Sequence, residues 1–158
     1  MAQTGASGIR FTLDTNILVY SVDDKDRRRH NLAAQIVDRA IDVDCWLTLQ
    51  AASEFYWAVS RKRIIPTDRA ATLVRHWLSL FPTIPASVDS IRAAMPYAAA
   101  GRASYRDALL ISTAAEAGCT LILTEDLQDS SLLGVVEIHN PFTPRGGLTR
   151  RVQRLLKL

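Results

Sequence analysis

The chain predicts an α/β fold with a mainly parallel central sheet, and three observations predict it. Short strand-like runs alternate with helical patterns along the whole length. Apolar periodicity switches repeatedly between 2 and about 3.6 residues. The 158 residues are 48% hydrophobic and 22% charged, which supplies one core and excludes collagen-like, mucin-like and largely disordered chains.

Residues 9–13 alternate apolar and polar side chains and stop at Asp14-Thr15-Asn16, which reads as a first strand entering a loop. Residues 17–20 are a short apolar run before the charged stretch 23–29. Leu32, Ile36, Val37 and Ala40 recur at helical spacing over 31–41. Residues 45–49 form the second strand candidate. No breaker interrupts 51–63, where Phe55, Ala58 and Val59 share one helix face. A helix opening at 64–67 carries Ala70, Leu73, Val74, Trp77 and Leu78. Residues 81–85 are extended, and their prolines weaken the case for a strand. Helices over 87–100 and 104–117 stop at Gly101 and Gly118. Residues 120–124 are a clear buried strand, 125–133 are irregular or one short helix, and 135–139 are a last short strand. Trp57 and Trp77 both read as core.

In such sheets ligands sit beyond the carboxyl ends of the strands. That rule points at the residues just after Leu13 and Leu123. Asp14 comes directly after the first strand and Asp126 shortly after the fourth. Glu54 lies early in the helix after the second strand. Asp107 lies in the first turn of the helix that precedes the fourth strand. Each acid has an ordinary explanation taken alone: a turn residue for Asp14, a solvated helix charge for Glu54, a cap for Asp107 in Ser104-x-x-Asp107, a cap or turn for Asp126. Their common edge is what favours a site. Two carboxylates about 5 Å apart repel by about 3 kcal/mol at an effective dielectric near 20. Four therefore need protonation or a hard cation. Oxygen donors suit Mg²⁺ or Mn²⁺ rather than zinc, and His30, His76 and His139 show no metal-ligand spacing.

The formal charge is +3, with 19 Lys and Arg against 16 Asp and Glu. Residues 145–158 carry Arg145, Arg150, Arg151, Arg154 and Lys157 and no acid, so the rest of the chain is slightly acidic. The division expected is a flexible segment 1–8, a domain 9–143 and a basic tail 144–158. Leu148, Val152, Leu155 and Leu156 give the tail helical spacing. It reads as a docking helix, an RNA contact or an extension outside the domain. Residues 1–8 lack the basic and apolar regions of a signal peptide, and no apolar run approaches a membrane span. Cys45 and Cys119 form no C-x-x-C pair and read as buried reduced thiols, so a cytoplasmic location is expected. Neither G-x-G-x-x-G nor G-x-x-x-x-G-K-[ST] occurs, which disfavours dinucleotide-binding and P-loop enzymes.

Residues 11–20, Phe-Thr-Leu-Asp-Thr-Asn-Ile-Leu-Val-Tyr, resemble the opening motif of PIN domains, and of VapC toxins among them. Ser53-Glu54-Phe55, the segment from Tyr105-Arg106-Asp107 to Ala114, and Leu123-Thr124-Glu125-Asp126-Leu127 resemble the later motifs. The resemblance implies a three-layer α/β/α fold and a Mg²⁺- or Mn²⁺-dependent endoribonuclease that hydrolyses RNA with a metal-activated water. It implies that Asp14, Glu54, Asp107 and Asp126 are the metal-binding and catalytic acids, with Asn16 and Thr124 as supporting polar residues. It also implies a VapB-like antitoxin partner, an RNA substrate and a homodimer. Arg102 and Arg106 flank Asp107 and are the candidate RNA-binding residues. The alternatives are a catalytically inactive PIN-like RNA- or protein-binding domain and a structure-specific DNA nuclease. Glu125 and Asp129 stay open as further acids of the fourth motif.

Overall fold

The computed structural model describes residues 8–129 and 131–158. The expected flexible segment 1–8 therefore lies outside the described residues, apart from Gly8. Strand β1 (Phe11–Leu13) is fully buried and pairs in parallel with β4 (Leu121–Leu123). β4 pairs in parallel with β6 (Val136–His139), and the short β5 (Leu132–Leu133) closes that edge in antiparallel fashion. On the other side of β1, a parallel bridge joins Phe11 to Cys45. It leads into β2 (Leu47–Thr48), which pairs in parallel with β3 (Thr83–Ile84). The order across the sheet is thus β3-β2-β1-β4-β6-β5. This is the mainly parallel α/β sheet expected from the sequence. Its switch point, where neighbours diverge to either side, lies at β1.

The helices start where the sequence places capping side chains. The Thr48 hydroxyl accepts from the Ala51 N–H at 3.1 Å and starts α3 (Leu49–Arg61). The second strand is therefore shorter than expected, because Thr48 turns the chain into the helix. Asp26 caps α2 (Arg27–Ala40), so this helix begins four residues earlier than its apolar spacing indicates. Residues 17–20, expected only as an apolar run, belong to helix α1 (Thr15–Tyr20), which takes Thr15 and Asn16 from the expected loop and has Asp14 as its cap. α4 (Thr67–Leu80) buries Trp77 against Phe55, with ring centroids 4.7 Å apart. Trp57 departs from expectation: it is 56% exposed, while Trp77 is 4% exposed. α5 (Val88–Ala99) and α6 (Tyr105–Glu116) end at Gly101 and Gly118, both at positive φ.

The basic tail packs onto the sheet. Thr149 caps α7 (Arg150–Leu155), and Leu148, Val152 and Leu156 join the same buried cluster as Phe11 and Ile138. Arg151 forms a two-pronged ion pair with Glu137 of β6. The Thr149 hydroxyl meets His139 Nε2 at 2.8 Å. Among the described residues, no helix is long and apolar enough to cross a membrane. Cys45 and Cys119 are free and buried, and burial pushes both thiols well above their ordinary pKa.

Candidate active site

A cleft of about 390 Å³ opens beyond the carboxyl ends of β1 and β4. It is lined by Asp14, Asn16, Glu54, Lys62, Arg106, Asp107 and Asp126, together with Thr15, Val19, Tyr20 and Ser104. The four acids expected from the sequence, spread from the first helix cap to the loop after β4, therefore meet at one place. A larger hollow of about 810 Å³ lies at the opposite, amino-terminal end of β1 against α7. It is separate from these carboxylates.

Asp14 is the buried member, only 6% exposed. Its Oδ1 accepts from the Thr15 N–H at 2.7 Å, which is the cap of α1. Its Oδ2 accepts from the Thr124 hydroxyl at 2.7 Å. Burial drives its pKa up to about 6; the two hydrogen bonds pull against that, and the charges of Asp107 and Asp126 add to it. Capping and site membership are thus the same role for this residue. Thr124 is a hub: while donating to Asp14, its hydroxyl accepts from Asn16 Nδ2 and from the Asp126 N–H, both at 3.2 Å. Asn16 Oδ1 is buried without a partner among the described residues.

Asp107 accepts the Ser104 hydroxyl at 2.8 Å, and the same hydroxyl accepts the Asp107 N–H. The cap anticipated there forms, but the acid returns to the Ser104 side chain rather than to its backbone. Glu54 differs from the other acids. Its carboxylate accepts from the Thr15 hydroxyl at 2.9 Å, from Gln50 Nε2 at 3.0 Å and from Arg106 through both Nε and Nη2. Burial alone would raise its pKa, but these donors outweigh it and hold the carboxyl below its usual range. The same clasp raises Arg106 above its ordinary value.

Arg102 is not brought to the cleft. Its guanidinium donates to the Leu132 carbonyl at 2.6 Å and lies over the Tyr97 ring. The remaining acids of the 125–129 stretch also have partners outside the cluster. Glu125 accepts from Tyr20 and pairs with Arg29. Asp129 accepts the Asn140 N–H and faces His139. Burial and Glu125 together push the Tyr20 hydroxyl up to about 12. Lys62, of the basic run Arg61-Lys62-Arg63, also lines the cleft.

Among the described residues, no three acidic, histidine or cysteine side chains stand close enough to grip a metal ion as placed. The donor chemistry nevertheless fits a hard divalent cation. Asp14, Asp107 and Asp126 line the cleft and form no salt bridge among the described residues. Asn16 Oδ1 is buried beside them, and Asp14 carries an ionisation penalty that a cation would relieve.

A mainly parallel sheet with an acidic cleft beyond its switch point defines an α/β domain with its carboxylates gathered at the sheet's carboxyl edge. The PIN domain model matches residues 11–128, and the chain belongs to that family. No curated protein sequence matches the chain. Among solved structures it is similar to VapBC2 from Rickettsia felis, described as bound to a DNA fragment from the promoter. That match has a TM-score of 0.60 and 15% identity, over 84% of this chain and 98% of that one. It is also similar to the Mycobacterium tuberculosis toxin VapC20, described as cleaving the sarcin-ricin loop. There the TM-score is 0.59 and the identity 15%, over 73% and 89% of the two chains. A toxin-antitoxin complex from Klebsiella pneumoniae matches with a TM-score of 0.58 and 18% identity, over 83% and 97%.

Proposed function

We propose that this PIN domain is a divalent-metal-dependent endoribonuclease of the VapC type, the toxin of a VapBC-type pair. The observation that carries the reading is the cleft itself: acids from the end of β1, from α3, from α6 and from the loop after β4 converge around a buried Asp14. The similar structures are described as toxins and toxin-antitoxin complexes, which supports a VapB-like antitoxin as the protein partner. A homodimer and a cytoplasmic site of action follow from the resemblance to VapC toxins, and the two free buried thiols agree with a reducing compartment.

Asp14, Asp107 and Asp126 would hold Mg²⁺ or Mn²⁺, with Asn16 Oδ1 as a further oxygen donor. When bound, such a cation lowers the pKa of water and polarises a phosphoryl group. The chain's own residues set the stage for that chemistry. Thr124 and the Thr15 N–H fix the two oxygens of Asp14, so its orientation does not depend on the substrate. Glu54 acts as a positioning residue: it fixes the Arg106 guanidinium at the cleft, where its remaining N–H groups can meet phosphate oxygens. Lys62 adds a second positive charge to the lining.

The test is cleavage of RNA by the pure chain in Mg²⁺ or Mn²⁺, with and without EDTA. Cleavage ending in 5′-phosphate and 3′-hydroxyl groups is expected, abolished by EDTA and by Asp14→Ala. Cleavage that survives either treatment refutes the reading. The second reading is a PIN-like binder that does not cut. The Arg106 clasp favours it, because Glu54 already has its counter-ion. Mn²⁺ binding that is unchanged by Asp14→Asn would select this second reading. Parallel reactions on single-stranded and flapped DNA test the DNA nuclease alternative.

A further inference from the structure

Helix α3 carries more than Glu54. Residues 54, 57 and 61 are spaced i, i+3 and i+7, so Glu54, Trp57 and Arg61 lie along one stripe of the helix. Trp57 is 56% exposed. The Arg61 guanidinium lies over its ring, 4.8 Å from the centroid. The next residue, Lys62, lines the acidic cleft. Neither Arg61 nor Lys62 has a carboxylate partner among the described residues.

An indole left half in water forgoes part of the free energy that burial of a large apolar side chain returns. Here the ring is held in place by a cation on one face, one helical turn from a cleft acid. A second exposed apolar stripe, Val88, Ile91 and Met95 on α5, is aliphatic or thioether, and its neighbour Arg92 is paired with Asp89. Of the two, the α3 stripe alone combines a π-face with cations that lack a carboxylate partner among the described residues. A cleft lined by carboxylates repels a polyanion, so a nucleic acid reaching it needs cations and stacking surfaces on the rim.

We infer that Trp57 and Arg61 form a stacking subsite for one unpaired nucleobase of RNA entering the cleft, with Lys62 taking a phosphate between that base and the carboxylates. This rests on the ribonuclease reading for the identity of the strand. Every base has a π-face, so the subsite selects unpaired over paired nucleotides and discriminates little among bases.

The experiment is fluorescence anisotropy of an end-labelled 10-mer RNA with the full chain in EDTA, single-stranded and as a duplex. Wild type, Trp57→Ala, Trp57→Phe and Arg61→Gln are compared, and the RNA-dependent tryptophan quench is recorded. Trp57→Ala should weaken single-strand binding about 5- to 150-fold. Trp57→Phe should restore most of that binding yet lose the quench, since Trp46 and Trp77 remain in both proteins. Arg61→Gln should weaken binding and flatten its salt dependence, and duplex affinity should be unchanged by the two Trp57 variants. Equal single-strand affinity for wild type and Trp57→Ala overturns the subsite. So does a change in oligomeric state by light scattering with RNA affinity intact, which would mark the stripe as a protein interface. A wild type that cuts RNA while Trp57→Ala binds it equally well overturns the subsite alone. A chain that never cuts but loses single-strand affinity with Trp57→Ala upholds the subsite and overturns the nuclease reading.

Discussion

Replacing Asp14 by asparagine should stabilise the metal-free protein at neutral pH. The carboxyl has an ordinary pKa of 3.8 and is raised to about 6 in the fold, chiefly by burial. The folded state therefore holds this proton more tightly than the unfolded state. Its contribution to stability is complete below pH 3.8, is lost as pH rises toward 6, and stays lost above that. The shift corresponds to about 3 kcal/mol of destabilisation at pH 7.5. Asparagine carries no such penalty. It does lose something, because its amide N–H₂ cannot accept the Thr124 hydroxyl as Oδ2 does, at a cost of about 1 kcal/mol. The net expectation is a variant more stable than wild type by about 2 kcal/mol at pH 7.5 and less stable by about 1 kcal/mol below pH 4. Urea unfolding in EDTA from pH 3.5 to 8 measures both limits. Millimolar Mn²⁺ should then raise wild-type stability at pH 7.5 and leave the Asp14→Asn variant nearly unmoved. Stability curves that run parallel across the pH range, or a variant weaker at pH 7.5, would refute the reasoning.

Arg106→Gln removes a positive charge that acts on Glu54, Asp107 and Asp14. Mn²⁺ should bind about fivefold more tightly by calorimetry, ~1 kcal/mol, while RNA affinity falls; weaker Mn²⁺ binding would instead make Arg106 a prop for the carboxylates. The tail should be held by its apolar side chains rather than its charges. Leu156, fully buried, should cost about 2–5 kcal/mol on Leu156→Ala, against at most ~1 kcal/mol for Arg151→Ala, whose pair with Glu137 is one-third exposed. Denaturant midpoints of the two variants check this, and the reverse order would mean that the ion pair anchors α7.

Parts of the site were plain in the chain before folding. Asp14 and Asp126 stand close after buried apolar runs, and Ser104 and Asp107 stand where a helix begins. The positions of these acids come from strand and helix periods, which are local. Other parts were hidden. β5 is two residues long and is recognisable only through its pairing with β6. Helix α1 has six residues, too few for periodicity to declare it. Trp57 sits on a helical pattern that suits burial, yet the neighbouring Phe55 takes the inward face and packs on Trp77.

By itself, then, the sequence determined the α/β class, the mainly parallel sheet and the four acids, because backbone propensity, capping and apolar spacing act over a few residues. Tertiary structure alone decided which long side chains meet. Arg106 closes on Glu54 across 52 positions, whereas Arg102, four residues before it, turns to Leu132. Glu125 is drawn away to Arg29 and Tyr20 while the adjacent Asp126 stays in the cleft. Residues 150–155 show helical spacing on paper, but only the fold decides that Val152 packs this helix into the shared core. A charged side chain on several rotatable bonds goes to whichever counter-charge or carbonyl the fold brings within reach, and that distance is set by packing between segments far apart in the chain.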